Sequence, residues 1–178
     1  MNAKDLLGKK IIDKKVRDIA KLAEIDVNGK TSKISNIYGS VGNPLNKKYY
    51  DIPASSILAV GDYIQVAETK EELDKKLLDK IPETENLKIN NLINKTVINS
   101  EGYIVGKVQN VDIDLESFSM KDITISTTTT LSFSNENVVF SQDDISSIGD
   151  FIILNKTLVE EKEEKAEESK DSVEVEIE

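Results

Sequence analysis

One irregularity occurs twice in this chain at a fixed spacing. In Ala20-Lys21-Leu22-Ala23-Glu24-Ile25-Asp26-Val27 the apolar Leu22 and Ile25 stand three apart, while Ile25 and Val27 keep the two-residue period of a β-strand. In Gly106-Lys107-Val108-Gln109-Asn110-Val111-Asp112-Ile113-Asp114, 86 positions later, Val108 and Val111 repeat the break. One extra residue in a strand is a β-bulge, and a bulge restores a single inward face. Any two buried strands are apolar, so a shared defect is better evidence of duplication than shared apolarity. The chain therefore reads as two copies of one small all-β unit.

The flanks carry the same repeat. Leu6–Asp13 matches Leu92–Asn99 at the offset of 86, and Ile57–Val66 matches Ile145–Leu154 at an offset of 88. The two additional residues are expected in a hairpin over Thr127–Glu136, where Ile123, Ile125, Leu131 and Phe133 alternate with Thr and Ser. In the first unit the pattern predicts strands over Lys9–Asp13 and Ile19–Val27, with the bulge at Ala23–Glu24. A two-residue turn is expected at Asn28-Gly29, a returning strand over Lys33–Tyr38, a loop over Gly39–Asn46 and short strands at Tyr49–Ile52 and Tyr63–Val66. The first unit has no counterpart of the turn glycine Gly102, and Ala20 stands where the second has Gly106.

Between the units, Thr69–Ile81 predicts a linker helix. Thr69 and Glu72 form a capping box, Leu73, Leu77, Leu78 and Ile81 share one stripe, and Pro82 stops it. The expected division is a first barrel over 1–66, a linker over 67–90, a second barrel over 91–158 and an acidic, flexible tail over 159–178. The tail ends in Val173, Val175 and Ile177 alternating with glutamates, which admits two readings: a solubilising acidic tail, or a strand that adds to an exposed sheet edge.

Cysteine and histidine are both absent. That excludes disulfides, thiolate or imidazole metal sites, and Cys or Ser–His nucleophiles. The net charge of −10 is uneven: residues 1–66 hold 11 Lys/Arg against 7 Asp/Glu, whereas 160–178 hold 3 against 10. A diffuse surplus in the first half is no clustered basic stripe, so nucleic acid is not the expected partner. No apolar run approaches the ~20 residues of a membrane span, and nothing at the start resembles a signal peptide. A soluble, cytoplasmic protein without direct membrane insertion is expected.

Few residues suggest chemistry. Asp112, Asp114 and Glu116 share a strand face by the period of two, which admits a carboxylate site for a hard cation, but the glycine-rich loop of a calcium site is missing. Gly39 and Gly42 lack the Lys-Ser/Thr and helix start of a phosphate loop. No catalytic residue, metal or cofactor site is expected. Tyr38, Tyr49 and Tyr50, beside Lys47 and Lys48, form a candidate partner-contact cluster, together with Val173, Val175 and Ile177 of the tail.

Leu7-Gly8-Lys9-Lys10-Ile11-Ile12-Asp13, the Gly106–Asp114 stretch, and the two Ile-x-x-hydrophobic-Gly-Asp endings resemble the PRC-barrel family. This is the β-barrel of the photosynthetic reaction-centre H subunit and of the C-terminal half of the ribosome maturation factor RimM. The resemblance spans about 6–66 and 92–154 and implies two PRC-type barrels in tandem. It implies a barrel that binds macromolecules and carries no chemistry. It further implies an archaeal adaptor accessory to FtsZ- and SepF-based cell division, homo-oligomeric and recruited to the division site through partners such as SepF. The alternative it leaves open is an RNA- or ribosome-associated factor of the RimM type.

Overall fold

The computed structural model describes residues 1–127 and 137–155. Thirteen strands and three short helices follow one another as α1 (Ala3–Leu6), β1 (Lys10–Ile12), β2 (Asp18–Val27), β3 (Ile34–Val41), β4 (Lys48–Pro53), β5 (Ile57–Val60), β6 (Tyr63–Val66), α2 (Lys70–Asp74), β7 (Leu87–Lys88), α3 (Ile89–Leu92), β8 (Thr96–Ile98), β9 (Ile104–Asp114), β10 (Ser119–Thr127), β11 (Asn137–Ser141), β12 (Ile145–Ile148) and β13 (Ile152–Leu154). The molecule is all-β, as expected, and its strands form two sheets. Their orders are β4-β3-β2-β1-β6-β5 and β11-β10-β9-β8-β13-β12, with β7 pairing onto β2. The two orders are the same order, shifted by one unit.

Each sheet is rolled. In a flat six-strand path the outermost strands would lie ~24 Å apart, at ~4.8 Å per step. Yet the chain passes from β4 to β5 through the single 3-10 turn Ala54–Ser56, and from β11 to β12 through Gln142–Asp144. Such a connection reaches at most ~14 Å, so the two edges must curl toward each other. Inside the curls lie fully buried side chains such as Ile11, Ile52 and Ile64 in one unit and Val97, Ile123 and Ile152 in the other.

The repeated break is a bulge in both copies. Ala23 is the extra residue between the pairs Leu22–Gly39 and Glu24–Tyr38, and Gln109 is the extra residue between Val108–Ile125 and Asn110–Thr124. Two further irregularities also recur, at Ile19 and Val105 and at Ser35 and Lys121.

Three local expectations are corrected. Asn28-Gly29 does not make a two-residue turn. The Asn28 side chain accepts from the N–H groups of Lys30 and Thr31, each at 3.0 Å, and Ser32 takes the left-handed conformation at φ 55 that closes a longer loop. Gly39 is not in a loop: β3 runs on to Val41, because a glycine lets the strand approach Ile11 and Ala20. The linker helix ends at Asp74 instead of Ile81. Its capping contact forms, with Thr69 N–H donating to the Glu72 carboxylate at 2.7 Å, but Leu78 then exchanges backbone hydrogen bonds with Tyr49 at 2.8 and 2.9 Å. Tertiary pairing outbids a short isolated helix, which is marginal in water. The expected hairpin beyond Thr127 and the acidic tail lie outside the described residues.

The missing turn glycine has a measurable consequence. Asn99 Oδ1 accepts from the N–H groups of Glu101 and Tyr103, and Gly102 sits at φ 88. In the first unit Asp13 Oδ1 accepts from Lys15 and Arg17 in the same way, and Val16 sits at φ 61. A left-handed L-residue costs roughly 1–2 kcal/mol and a β-branched one suffers most. Val16 is 72% exposed, so truncation forfeits little burial. Val16→Gly is therefore expected to stabilise the fold by about 1 kcal/mol after the glycine's unfolded-state entropy is charged, read as a thermal midpoint ~2–4 °C higher. An unchanged or lower midpoint would show the turn to be unstrained.

The units are joined reciprocally. α1 packs on β9, and α3 packs on β2. Asn2 bridges to Asp112, and its counterpart Lys88 pairs with Asp26. Ile34 N–H donates to Phe118 O at 2.7 Å, and Met120 N–H donates to Ser32 O at 2.8 Å. Lys33 and Ser119, which are equivalent to each other in the repeat, face each other in a bridge. The contact between the units thus has an approximate two-fold axis passing between Lys33 and Ser119.

Candidate interaction surface

The tyrosines separate by depth. Tyr38 and Tyr50 are 2% and 1% exposed, so the structure uses both in the core and neither presents a contact surface. They lie on opposite faces of the sheet: Tyr50 pairs with Gly39 on the inward face, whereas Tyr38 pairs with Glu24 and Asp51 on the other face and is covered there at the seam, beside Asp26 and Lys88. Each ring still needs a partner for its hydroxyl. Tyr50 OH donates to Asp74 at 2.5 Å and Tyr38 OH to Asp26 at 3.4 Å. Burial, then the neighbouring carboxylates, pushes both phenols well above their usual range. Tyr49 is half-buried and holds Leu78 through backbone bonds. Val173, Val175 and Ile177 lie outside the described residues.

The strand carboxylates have structural tasks. The Asp114 carboxylate accepts from Glu116 N–H at 2.9 Å and Ser117 Oγ at 2.8 Å, closing the β9–β10 hairpin, and the Ser117 hydroxyl chiefly holds its pKa below the usual range. Asp112 accepts from Asn110 Nδ2 at 3.2 Å. Asp13 belongs to a network that docks α2: its second oxygen accepts from Arg17 Nε at 2.8 Å and Lys70 N–H at 3.0 Å, while Arg17 also grips Glu71 at 2.6 and 2.7 Å. Burial alone would raise the Asp13 pKa, but the Arg17 hydrogen bonds outweigh it and hold the group far below the carboxylate range. The same guanidinium holds Glu71 at about 2. A groove of about 460 Å³ follows the seam between the units, with Gly29, Leu87, Met120, Ile145 and Ile148 among its walls.

What sequence reading missed is a row of three isoleucines. Ile98 on β8 pairs with Ile104 on β9 and with Ile153 on β13, so the three lie side by side across the sheet. Their neighbours Val97 and Ile152 are fully buried, which turns the row to the outside. Ile104 is 67% exposed, Phe151, two residues before Ile153, 53%, and Tyr103, next to Ile104 in the chain, 68%. The first unit supplies the comparison. There the same positions read Asp18, Ile12 and Gln65, and Asp18 forms an ion pair with Lys10 at 2.7 Å, both side chains half exposed. Two of the three positions are polar in the first unit, and all three are apolar in the second. The signal was legible as a substitution pattern between the copies, Asp18 to Ile104 and Gln65 to Ile153, but only once the pairing register shows these residues to be adjacent.

Residues 85–159 match the family described as PRC-barrel domain. The match covers the whole second sheet and begins with the β7–α3 arm that packs on the first. No curated protein matches the chain. Among the described residues no helix is long and apolar enough to cross a membrane.

Proposed function

We propose that this chain is a non-enzymatic adaptor that docks a protein partner on the Ile104–Ile98–Ile153 face of its second unit, and that its first unit is a second PRC-type barrel. The observation that supports it most is the difference between the two copies. Core packing demands nothing of an outward face, and the first copy folds with that face charged. Exposed Ile104, half-buried Ile98 and Ile153, and exposed Phe151 and Tyr103 at their rim form an outward apolar cluster of the kind that marks protein contact. Tyr49 and the terminal Val173, Val175 and Ile177 are proposed as further contacts. The finer placement, an archaeal accessory of FtsZ- and SepF-based division that reaches the division site through such a partner, draws on family resemblance. The RimM-type alternative calls for a surface suited to RNA, and this row is apolar rather than basic.

The test rebuilds the first unit's polarity in the second. Ile104→Asp with Ile153→Gln should destabilise only modestly, by about 0.5 kcal/mol at exposed Ile104 and about 1 kcal/mol at half-buried Ile153, and leave the protein folded. Capture of partners from native extract should fall at least ~30-fold, the loss of a hot spot worth about 2 kcal/mol. Undiminished capture removes the docking face. Salt-sensitive capture of ribosomal subunits would favour the RNA reading, and a fluorescent fusion spread evenly through dividing cells would remove the division placement.

A further inference from the structure

We infer that the seam between the units is a self-complementary pairing surface and that a second copy of this chain is one of its partners: two chains can exchange units, the first of each pairing with the second of the other. This stands independently of the docking face on the second unit.

The backbone contacts and apolar anchors of the seam come in reciprocal pairs. The Asn2–Asp112 bridge mirrors the Lys88–Asp26 pair, and the Ile34–Phe118 bond mirrors the Met120–Ser32 bond. The buried anchors Ala3 and Leu6 on α1 mirror Ile89 and Leu92 on α3. Such reciprocity is the mark of an isologous interface, which is how identical subunits associate. Only the connection over 67–84 makes the pairing intramolecular. The matched family segment starts at residue 85, so the α3 arm that reaches across the seam belongs to the domain and not to the connection.

Two groups set which units pair. Asp26 is 1% exposed and receives Lys88 Nζ at 3.1 Å, Thr84 Oγ1 at 3.2 Å and Tyr38 OH at 3.4 Å. Glu24 is 5% exposed and its carboxylate accepts from the N–H and Nδ2 of Asn90 at 3.1 and 3.0 Å. The position of Lys88 is held in the first unit by Asn2, and that of Asn90 by Lys4. A pairing of two first units would therefore leave each buried Asp26 facing Asn2 with no lysine, a costly arrangement. A first unit selects a second unit, whether from its own chain or from another.

Within one chain the connection gives the second unit an effective concentration in the millimolar range. At micromolar concentration the wild type is accordingly monomeric. Removing residues 75–83 takes that advantage away. Asp74, held by Tyr50, would then be bonded to Thr84, held by Asp26. Tyr50 pairs with Gly39 and Gly39 with Leu22, so those anchors stand two strands and four residues apart. That is ~16 Å at the usual strand spacings, against ~3.8 Å for one residue step.

The decisive experiment uses two full-length chains, one carrying Asp26→Lys and the other Lys88→Asp. Each alone opposes like charges across its own seam. Exchange between them makes one reversed pair and one wild-type pair. Expected are monomers with thermal midpoints lowered by about 10 °C when apart. Refolded together they should give a one-to-one complex of two-chain mass by light scattering, with the midpoint returned to within a few degrees of wild type. A mixture that remains two destabilised monomers overturns the proposal. Should the reversed pair fail to fold even within one chain, the variant lacking 75–83 decides: a two-chain mass supports exchange and a monomer rejects it.

Discussion

Lys88→Met is expected to destabilise the fold by roughly 3–5 kcal/mol, the cost of leaving a buried charge without its counterion. The side chain crosses the seam from β7, lies 5.9 Å from the centre of the Tyr38 ring and puts its ammonium 3.1 Å from Asp26. Asp26 keeps the Tyr38 and Thr84 hydroxyls, but two neutral donors do not compensate a carboxylate held at 1% exposure. The converse change, Asp26→Asn, costs less, because Lys88 at 15% side-chain exposure can swing its amine toward water. The double variant, Asp26→Asn with Lys88→Met, has no charge to strand and should recover a large part of the loss. Urea unfolding of the four proteins reads the cycle. Coupling above about 1 kcal/mol is expected for groups in direct contact, and additivity within about 0.5 kcal/mol would show that the pair contributes nothing as a pair.

The bulges, the two copies and the all-β class were legible because a defect in strand period leaves a trace in the order of apolar residues, and Leu22/Ile25 with Val108/Val111 leave it twice. The helix over Thr69–Ile81 misled because its stripe and capping box are local, whereas the bonds of Leu78 to Tyr49 reach back 29 positions. The arms were missed for a similar reason. Ala3–Leu6 and Ile89–Leu92 are each a single helical turn, too short to show periodicity, and their apolar residues are explained only by a sheet belonging to the other unit. Tyr38, Tyr49 and Tyr50 attracted attention as aromatics near lysines, but chain position cannot tell which side of a strand faces the core. The isoleucine row was hidden for the opposite reason. Its members sit 6 and 49 positions from one another, and no window along the chain contains them all.

Gly106→Ala should cost about 3 kcal/mol, the upper end of the range for overpacking a core, and lower the thermal midpoint by roughly 6–12 °C. A methyl on Gly106 would overlap the carbonyl oxygen of Ser126 on β10 and come within 3.0 Å of Ile125 Cγ2. The first unit solves the same crossing the other way round. Its Ala20 occupies the position of Gly106, and Gly39 occupies that of Ile125. A methyl on Gly39 would stand 2.8 Å from Ile11 Cδ1 and 2.9 Å from Ala20 Cβ. Each copy thus has one small residue opposite one larger, with the small one on different strands. The two clashes differ in kind. Gly39→Ala presses on Ile11 Cδ1, which can turn away, and on Ala20 Cβ, which moves only with the β2 backbone; because this overlap is shallower than that at Gly106, it should cost less, about 1–2 kcal/mol. Gly106→Ala presses on a backbone oxygen inside a ladder, where relief requires the β9–β10 pairing itself to shift. The order of the two effects is the critical readout. Equal losses in chemical denaturation would mean that the second sheet moves as easily as a side chain, and that its bulged strand is not held in register by the close approach at Gly106.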